Sequence, residues 1–171
     1  MRKLFLALTG MLTVSIISCN ALAQEIGNWT IDTKSKEFLY AATINDSGAL
    51  LGQFCSLKDG NCMWLLGMST ACNKGDSYPV LVNSDAGALH LQVYCDGQLE
   101  SGSYRYAFTD FDAVDNAIRK SSKIGFAVPL QSDQFKVVRF LTNGAISALT
   151  IMRTAAEKKT STDTGTKDQE L

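Results

Sequence analysis

The chain has 171 residues, with 16 basic and 17 acidic side chains and a formal charge of −1 at pH 7. This balance argues against nucleic acids and anionic lipid surfaces as partners, because both require clustered Lys and Arg and no such basic patch is visible in the sequence. Hydrophobic residues make up 46% of the chain, which is enough for one domain with its own core.

The first 23 residues have the features of a secretory signal peptide. Arg2 and Lys3 precede an apolar run from Leu4 to Ile17, and Ala21–Ala23 supplies the small residues that a signal peptidase recognises. The apolar run is shorter than the ~20 residues that cross a bilayer, so it does not indicate a transmembrane segment. We therefore predict a mature protein that begins at Gln24 and is periplasmic or secreted.

A second interpretation of the same region is a lipoprotein signal. The segment that ends at Cys19 resembles a bacterial lipobox, in which the cysteine is acylated and becomes the new N-terminus. Ser18 is the small residue that this motif needs, although Ile16 stands where Leu is usual. If Cys19 is acylated, the protein is a membrane-anchored lipoprotein.

The chain from Trp29 to Gly97 consists of short β-rich runs separated by turn residues, a rhythm typical of an antiparallel sandwich or barrel. The run Cys62–Met68 is apolar throughout, which predicts a strand buried on both faces near the centre of the sheet. The predicted strands of this part are Trp29–Thr33, Glu37–Ile44, Ala49–Ser56, Cys62–Met68, Tyr78–Val82 and Ala88–Cys95.

Four cysteines remain after the signal peptide, and an even number in an exported chain predicts two disulfides. Three connectivities are possible. If Leu57–Gly60 forms a four-residue hairpin loop, Cys55 faces Cys62 across the two strands, which favours that pair and leaves Cys72 with Cys95. No short Cys-x2-Cys spacing is present to orient thiolates on zinc, so we predict no metal site.

The last third of the chain changes to a helical period after one more strand. Phe111, Val114 and Ile118 are helically spaced, and Thr109 or Asp110 can cap the helix. The predicted elements are strand Ser103–Phe108, a helix from Phe111 to about Ser121, strands Lys123–Leu130 and Phe135–Leu141, and a helix over Ala145–Ala156.

These elements predict one α+β domain over residues 24–156 that is mainly β. Its core is an antiparallel β-sandwich or barrel-like sheet, stapled by disulfides and followed by two late helices. Residues 157–171 are almost entirely polar, so we expect a disordered tail there.

Motifs that carry catalysis are missing from the sequence. There is no Gly-x-Ser-x-Gly elbow and no phosphate-binding glycine loop, and His90 is the only histidine. Asp110, Asp112 and Asp115 cluster near the first helix, where acids complement the helix macrodipole. We therefore expect a protein that is not an enzyme, with no catalytic residue and no cofactor.

Two short segments are candidates for recognition. Tyr104, Arg105 and Tyr106 follow one another on a strand, and aromatic rings with Arg are common anchors of protein interfaces. Lys58 and Asp59 lie at the tip of the predicted disulfide-closed loop, which a small inhibitor can insert into an enzyme's cleft.

Three stretches of sequence resemble the bacterial invasion-associated locus B protein family. They are residues 27–30 (GNWT), 126–130 (FAVPL) and 140–149 (FLTNGAISAL), together with paired cysteines in the central strands. Thr33 departs from the family pattern, because a cysteine commonly stands there. Family members are exported, β-rich proteins, mostly without known activity, and some are linked to host-cell entry. The resemblance implies the same architecture and compartment and supplies no catalytic residue.

The sequence favours a non-catalytic exported protein that binds another macromolecule, a protein partner, with host interaction as a candidate role. A small exported inhibitor or immunity protein is the first alternative, and an exported hydrolase is the second.

Overall fold

The computed structural model describes residues 24–99, 101–129 and 134–164. The predicted signal peptide, Cys19 and residues 165–171 lie outside this part of the chain. Within it there are ten strands and two helices. Their bounds are β1 Gln24–Ile26, β2 Trp29–Asp32, β3 Phe38–Ile44, β4 Leu50–Ser56, β5 Cys62–Met68, β6 Ser77–Ser84, β7 Gly87–Gln98, β8 Tyr104–Phe108, α1 Phe111–Arg119, β9 Lys123–Pro129, β10 Phe135–Leu141 and α2 Ala145–Thr164.

All ten strands form one antiparallel sheet in the order β1-β2-β3-β4-β5-β8-β7-β6-β9-β10. The sheet curls until β10 returns to the start of the chain. The indole Nε1 of Trp29 donates to the Leu141 carbonyl at 3.3 Å, and Asn45 Nδ2 donates to the Arg139 carbonyl at 3.2 Å. These bonds satisfy carbonyls that an open edge strand would expose, so the sheet is barrel-like.

One hydrophobic core fills the inside of the curled sheet. Trp29 and Trp64 are both fully buried there and meet edge to face at 6.2 Å between ring centroids. Strand β5 lies in the middle of the strand order, as its apolar sequence predicted. The α+β, mainly β fold expected from the sequence is confirmed.

The two predicted disulfides are both present. The hairpin disulfide joins Cys55 to Cys62 with an S–S distance of 2.03 Å across the paired ends of β4 and β5. The long-loop disulfide joins Cys72 to Cys95 and closes a sequence separation of 23 residues. The first bridge joins two neighbouring strands and the second joins a loop to β7, so both constrain the unfolded chain around the centre of the sheet.

Helix α1 begins as predicted, because the Asp110 side chain accepts a hydrogen bond from the Ala113 backbone N–H at 2.9 Å. Asp115 has a different role from the one expected of an acid near a helix start. Its carboxylate forms ion pairs with Arg119 and with Arg153 of α2, and it therefore holds the two helices together.

Helix α2 extends to Thr164, so the expectation of a disordered tail from residue 157 is wrong for residues 157–164. The hydroxyl of Thr160 donates to the Ala156 carbonyl one turn earlier, and the Lys159 ammonium donates to the Ser35 carbonyl at 3.0 Å. No Gly or Pro interrupts these residues. A polar sequence can continue a helix whose preceding turns are already packed.

Strand β1 was not expected, and β6 and β7 are longer than predicted. Residues Gln24–Ile26 pair with β2 at the edge of the sheet and bury little, so no alternation of apolar and polar residues marks them. The extra residues of β7 reach Gln98 through an irregularity between Cys95 and Gly97.

Candidate functional site: an apolar groove on the outer face of the sheet

A depression lies on the outer face of β3, β4, β5 and β8, away from the core. Its volume is about 540 Å³, and we name it the outer-face groove. Its lining is mainly apolar, with a few polar groups. The lining residues are Phe38, Ile44, Gly48, Leu50, Phe54, Ser56, Asn61, Met63, Leu65, Gly67, Asp96, Leu99, Ser101, Ser103 and Arg105.

Strand alternation places these side chains outside while their neighbours fill the core. On β3, Phe38 points outward and Leu39 is fully buried. Phe54 of β4 lies between two aromatic neighbours of β3, with its ring centroid 6.1 Å from Phe38 and 5.4 Å from Tyr40. This cluster gives the groove one aromatic wall.

Two glycines lie on the outer face of β4 and β5. A Cβ at Gly52 would lie 2.6 Å from the Ala42 Cβ directly across β3 and β4, so this pairing needs glycine. A Cβ at Gly67 would lie 3.3 Å from the Cβ of Leu50, which is tight. Of the two, Gly67 lines the groove, and the absence of a side chain there leaves space in the depression.

One ion pair lies at the margin of the groove. Arg105 of β8 reaches Asp96 of β7 at 2.8 Å, next to the irregularity in the β7–β8 ladder. The side chains are 40% and 32% exposed, so both charges are accessible to a bound molecule. The pair has no net charge, and its two members are the charged side chains among the described residues of the lining.

Of the three consecutive residues proposed for recognition, only Arg105 lies in this groove. Tyr106 is 1% exposed in the core, its hydroxyl donates to the Thr70 carbonyl at 2.9 Å, and its ring meets Tyr78. Burial raises the pKa of Tyr106 to about 12, with smaller contributions from Tyr78 and Tyr104. Tyr104 is half-buried against the core. The recognition interpretation is therefore wrong for Tyr106, because alternation turns the two tyrosines inward and Arg105 outward.

Lys58 and Asp59 are exposed at the tip of the disulfide-closed loop, as predicted. Hydrogen bonds from the Ser56 side chain and from Asn61 hold the pKa of Asp59 below its usual value. A Cβ at Gly60 would lie 3.9 Å from the Thr160 methyl of α2, so the loop runs beside that helix. The loop is closed by the Cys55–Cys62 disulfide, and its tip stays exposed beside α2.

Other titratable groups do not gather into a site within the described residues. His90 is exposed on β7, and in the described ranges no three His, Cys, Asp or Glu side chains are placed to hold a metal ion. Among the helices of the described chain, none is long and apolar enough to cross a membrane.

The outer-face groove was not predicted, although the sequence contained a signal for it. The apolar run of β5 indicated a strand buried on both faces, yet Met63 on its outward side is 40% exposed and lines the groove. In this strand one apolar face is buried in the core and Met63 on the other face is exposed, and exposed apolar patches commonly mark binding surfaces.

The fold and the groove together define a class: a disulfide-stapled, curled antiparallel sheet with two helices late in the chain and an apolar depression on its outer face. The crystal structure of invasion associated protein B from Bartonella henselae is similar to this chain, with a TM-score of 0.55 and 19% sequence identity. The similarity covers 81% of this chain and 99% of that one. The resemblance predicted from the sequence is confirmed at the level of the fold. No protein-family model matches the chain, and a search of curated proteins found no similar protein.

Proposed function

We propose that this chain is a non-catalytic, exported protein that binds another macromolecule with the outer-face groove and its apolar margin. The observation that supports this most is the exposure of large apolar side chains around one concave site. Ile44 is 66% exposed, and Phe38 and Met63 are also exposed beside it. A contiguous apolar patch of this kind on a folded surface typically marks a binding site.

Export to the periplasm or beyond belongs to the same proposal. Both disulfides suit an oxidising compartment, and the N-terminal sequence has the pattern of a signal peptide. The name of the Bartonella henselae protein supports a role in host interaction. Intact mass of the protein from its own host distinguishes a chain that begins at Gln24 from one acylated at Cys19.

A capture experiment with matched variants tests the binding proposal. Ile44→Asp and Met63→Asp place a charge in the groove at exposed positions, and Leu81→Asp places the same charge at an exposed position over β6. We expect both groove variants to lose capture of partners from envelope and host-surface extracts, while Leu81→Asp retains it. Equal capture by all three variants with unchanged melting temperatures would contradict the proposal.

An inhibitor or immunity function is the second candidate, because the loop tip is exposed and closed by a disulfide. A rigid loop loses little conformational entropy on binding. In this case the double variant Lys58→Ala and Asp59→Ala should abolish partner capture with the fold intact. Unchanged capture by that variant, with loss in the groove variants, assigns binding to the groove instead.

A further inference from the structure

We propose that Asn143 is a site of spontaneous covalent modification in the folded protein, at which the backbone nitrogen of Gly144 converts the asparagine to aspartate and isoaspartate. The site lies between β10 and α2, where the two ends of the curled sheet meet. The inference goes beyond the proposed function, because the reaction needs neither a partner nor the outer-face groove.

The reaction uses two groups of this chain and water. The Gly144 backbone nitrogen loses its proton and attacks Cγ of Asn143, and the bond from Cγ to Nδ2 breaks with release of ammonia. The product is a five-membered succinimide ring. Water then opens the ring at one of its two carbonyls. Breaking the new bond at Cγ gives aspartate, and breaking the original peptide bond gives isoaspartate, in which the main chain runs through Cγ.

Both reacting groups are available in the structure. Asn143 is the one asparagine of the sequence that precedes a glycine, and glycine has no side chain to hinder the approach of its nitrogen. The Asn143 side chain is exposed and makes no hydrogen bond with the described residues. The Gly144 N–H donates to no acceptor in the described ranges either. The attack therefore breaks no hydrogen bond of the attacking nitrogen or of the side-chain amide.

The fold requires the glycine that makes this asparagine reactive. Gly144 is the third residue of a turn that closes with a bond from the Ala145 N–H to the Thr142 carbonyl at 2.9 Å. Its φ of +88° lies in the region that this turn position reserves for glycine. A Cβ there would also collide with the Ile26 carbonyl. The closure of the sheet therefore keeps the Asn143–Gly144 pair in place.

Two aspartates also precede a glycine, but their chemistry is less favourable. Asp59 precedes Gly60 and Asp96 precedes Gly97, so each could form the same ring. An ionised carboxylate is a poor target for a nucleophile, whereas the neutral amide of Asn143 is a better one. Hydrogen bonds from the Ser56 and Asn61 side chains hold the pKa of Asp59 below its usual value, and Asp96 is paired with Arg105. Both carboxylates therefore stay ionised at neutral pH.

The two products should affect the closure differently. The Asn143 carbonyl accepts the Asn28 backbone N–H at 3.0 Å, and this bond joins the start of the sheet to its end. Isoaspartate adds one methylene to the main chain inside the turn, which displaces that carbonyl and enlarges the ring closed by the Ala145 bond. Aspartate leaves the main chain unchanged and adds a negative charge beside the first turn of α2, where the helix dipole favours it. Isoaspartate should therefore destabilise the protein, and aspartate should not.

Ageing of the protein with both disulfides intact, at mildly alkaline pH, tests the proposal. Peptide mapping with electron-transfer fragmentation counts the aspartate and isoaspartate at each position. We expect Asn143 to react at least about tenfold faster than Asn83, which is also exposed but precedes Ser84. Asn143→Gln is the matched control, because its amide is one methylene farther away and needs a less favourable six-membered ring. The acidic species that anion exchange separates from the aged protein should be missing from this variant.

Thermal unfolding of the separated species tests the effect on the closure. We expect the isoaspartate form to melt at least about 4 °C below the unmodified protein, and Asn143→Asp to melt within about 1 °C of it. A parallel sample aged in urea shows how fast the unfolded chain reacts. An Asn143 that stays intact in the folded protein while it reacts in urea would overturn the inference. So would equal rates at Asn143 and Asn83, or an isoaspartate form as stable as the unmodified protein.

Discussion

Replacing Arg153 by Met should destabilise the protein through three contacts that its guanidinium makes at once. It pairs with the Asp115 carboxylate, its Nε donates to the Gln53 amide oxygen at 2.7 Å, and it lies 5.5 Å from the centroid of the Phe111 ring. Gln53 is fully buried on β4, and its amide nitrogen has no hydrogen-bond partner in the structure. The bond from Arg153 is therefore the hydrogen bond that satisfies the Gln53 amide oxygen.

The magnitude follows from burial. The Arg153 and Asp115 side chains are 23% and 15% exposed, so their ion pair stabilises the fold by about 1–2 kcal/mol, between the values for surface and buried pairs. An unpaired, buried oxygen on Gln53 costs about 1–3 kcal/mol more. We expect a loss of about 3 kcal/mol in the free energy of unfolding, which lowers Tm by roughly 6–12 °C in a domain of this size.

Arg119→Met is the matched control, because Arg119 contacts the same carboxylate at 2.7 Å but is 36% exposed and pairs four residues along one helix. Such pairs are worth below about 1 kcal/mol. Urea unfolding followed by circular dichroism measures both variants. If Arg153→Met destabilises the protein no more than Arg119→Met does, the claim that the Arg153 guanidinium holds α2 against the sheet is refuted.

Three further outcomes are expected. Replacing both cysteines of the long-loop disulfide by Ser should lower the free energy of unfolding by about 1 kcal/mol more than the same change in the hairpin disulfide. The reason is that the long-loop disulfide closes a separation of 23 residues and the hairpin disulfide one of 7. Equal losses of stability in thermal unfolding would argue against this. Gly144→Ala should destabilise the protein by more than about 2 kcal/mol, because a Cβ there meets the Ile26 carbonyl. Gly102 has a similar φ of +86° but open space around it, so Gly102→Ala should cost only about 1 kcal/mol. Similar chemical-denaturation midpoints for the two variants would contradict the clash. Burial of the Asp115 carboxylate alone would raise its pKa, but hydrogen bonds from its two arginine partners hold that pKa below the usual value. The stability that the ionised Asp115 contributes should therefore be present at neutral pH and lost below about pH 4. In Asp115→Asn the free energy of unfolding should fall less steeply with decreasing pH in this range. If the variant and the unchanged protein show the same pH dependence, Asp115 is not responsible for it.

The positions of most strands along the chain could be predicted because each leaves a local signal. Turn residues such as Asn45–Gly48 separate runs with a two-residue period, and a four-residue loop set Cys55 opposite Cys62. The cap of α1 was also local, since Asp110 bonds within its own first turn. Signals of this kind need no knowledge of the rest of the fold.

Features that depend on distant contacts could not be predicted in the same way. Helix α2 continues past Ala156, where Lys159 bonds to Ser35, a residue 124 positions earlier in the chain. The inward orientation of Tyr106 depends on which face of β8 meets the core, and alternation alone leaves that choice open. The groove was visible only as apolar residues on both faces of β5. Its concavity comes from the way four strands are arranged in space.

The closure of the curled sheet, where β10 meets the start of the chain, has a consequence for the order of folding. Trp29 and Leu141 are bonded across 112 positions, so the two ends of the sheet meet only when nearly the whole domain is available. A chain that emerges N-terminus first, from a ribosome or through an export channel, would carry an unsealed hydrophobic interior until its last strand arrives. Such long-range closure slows folding and prolongs the time in which other chains can attach to the open edge. A chaperone that shields the emerging N-terminal half during that interval would therefore act where this molecule is most vulnerable.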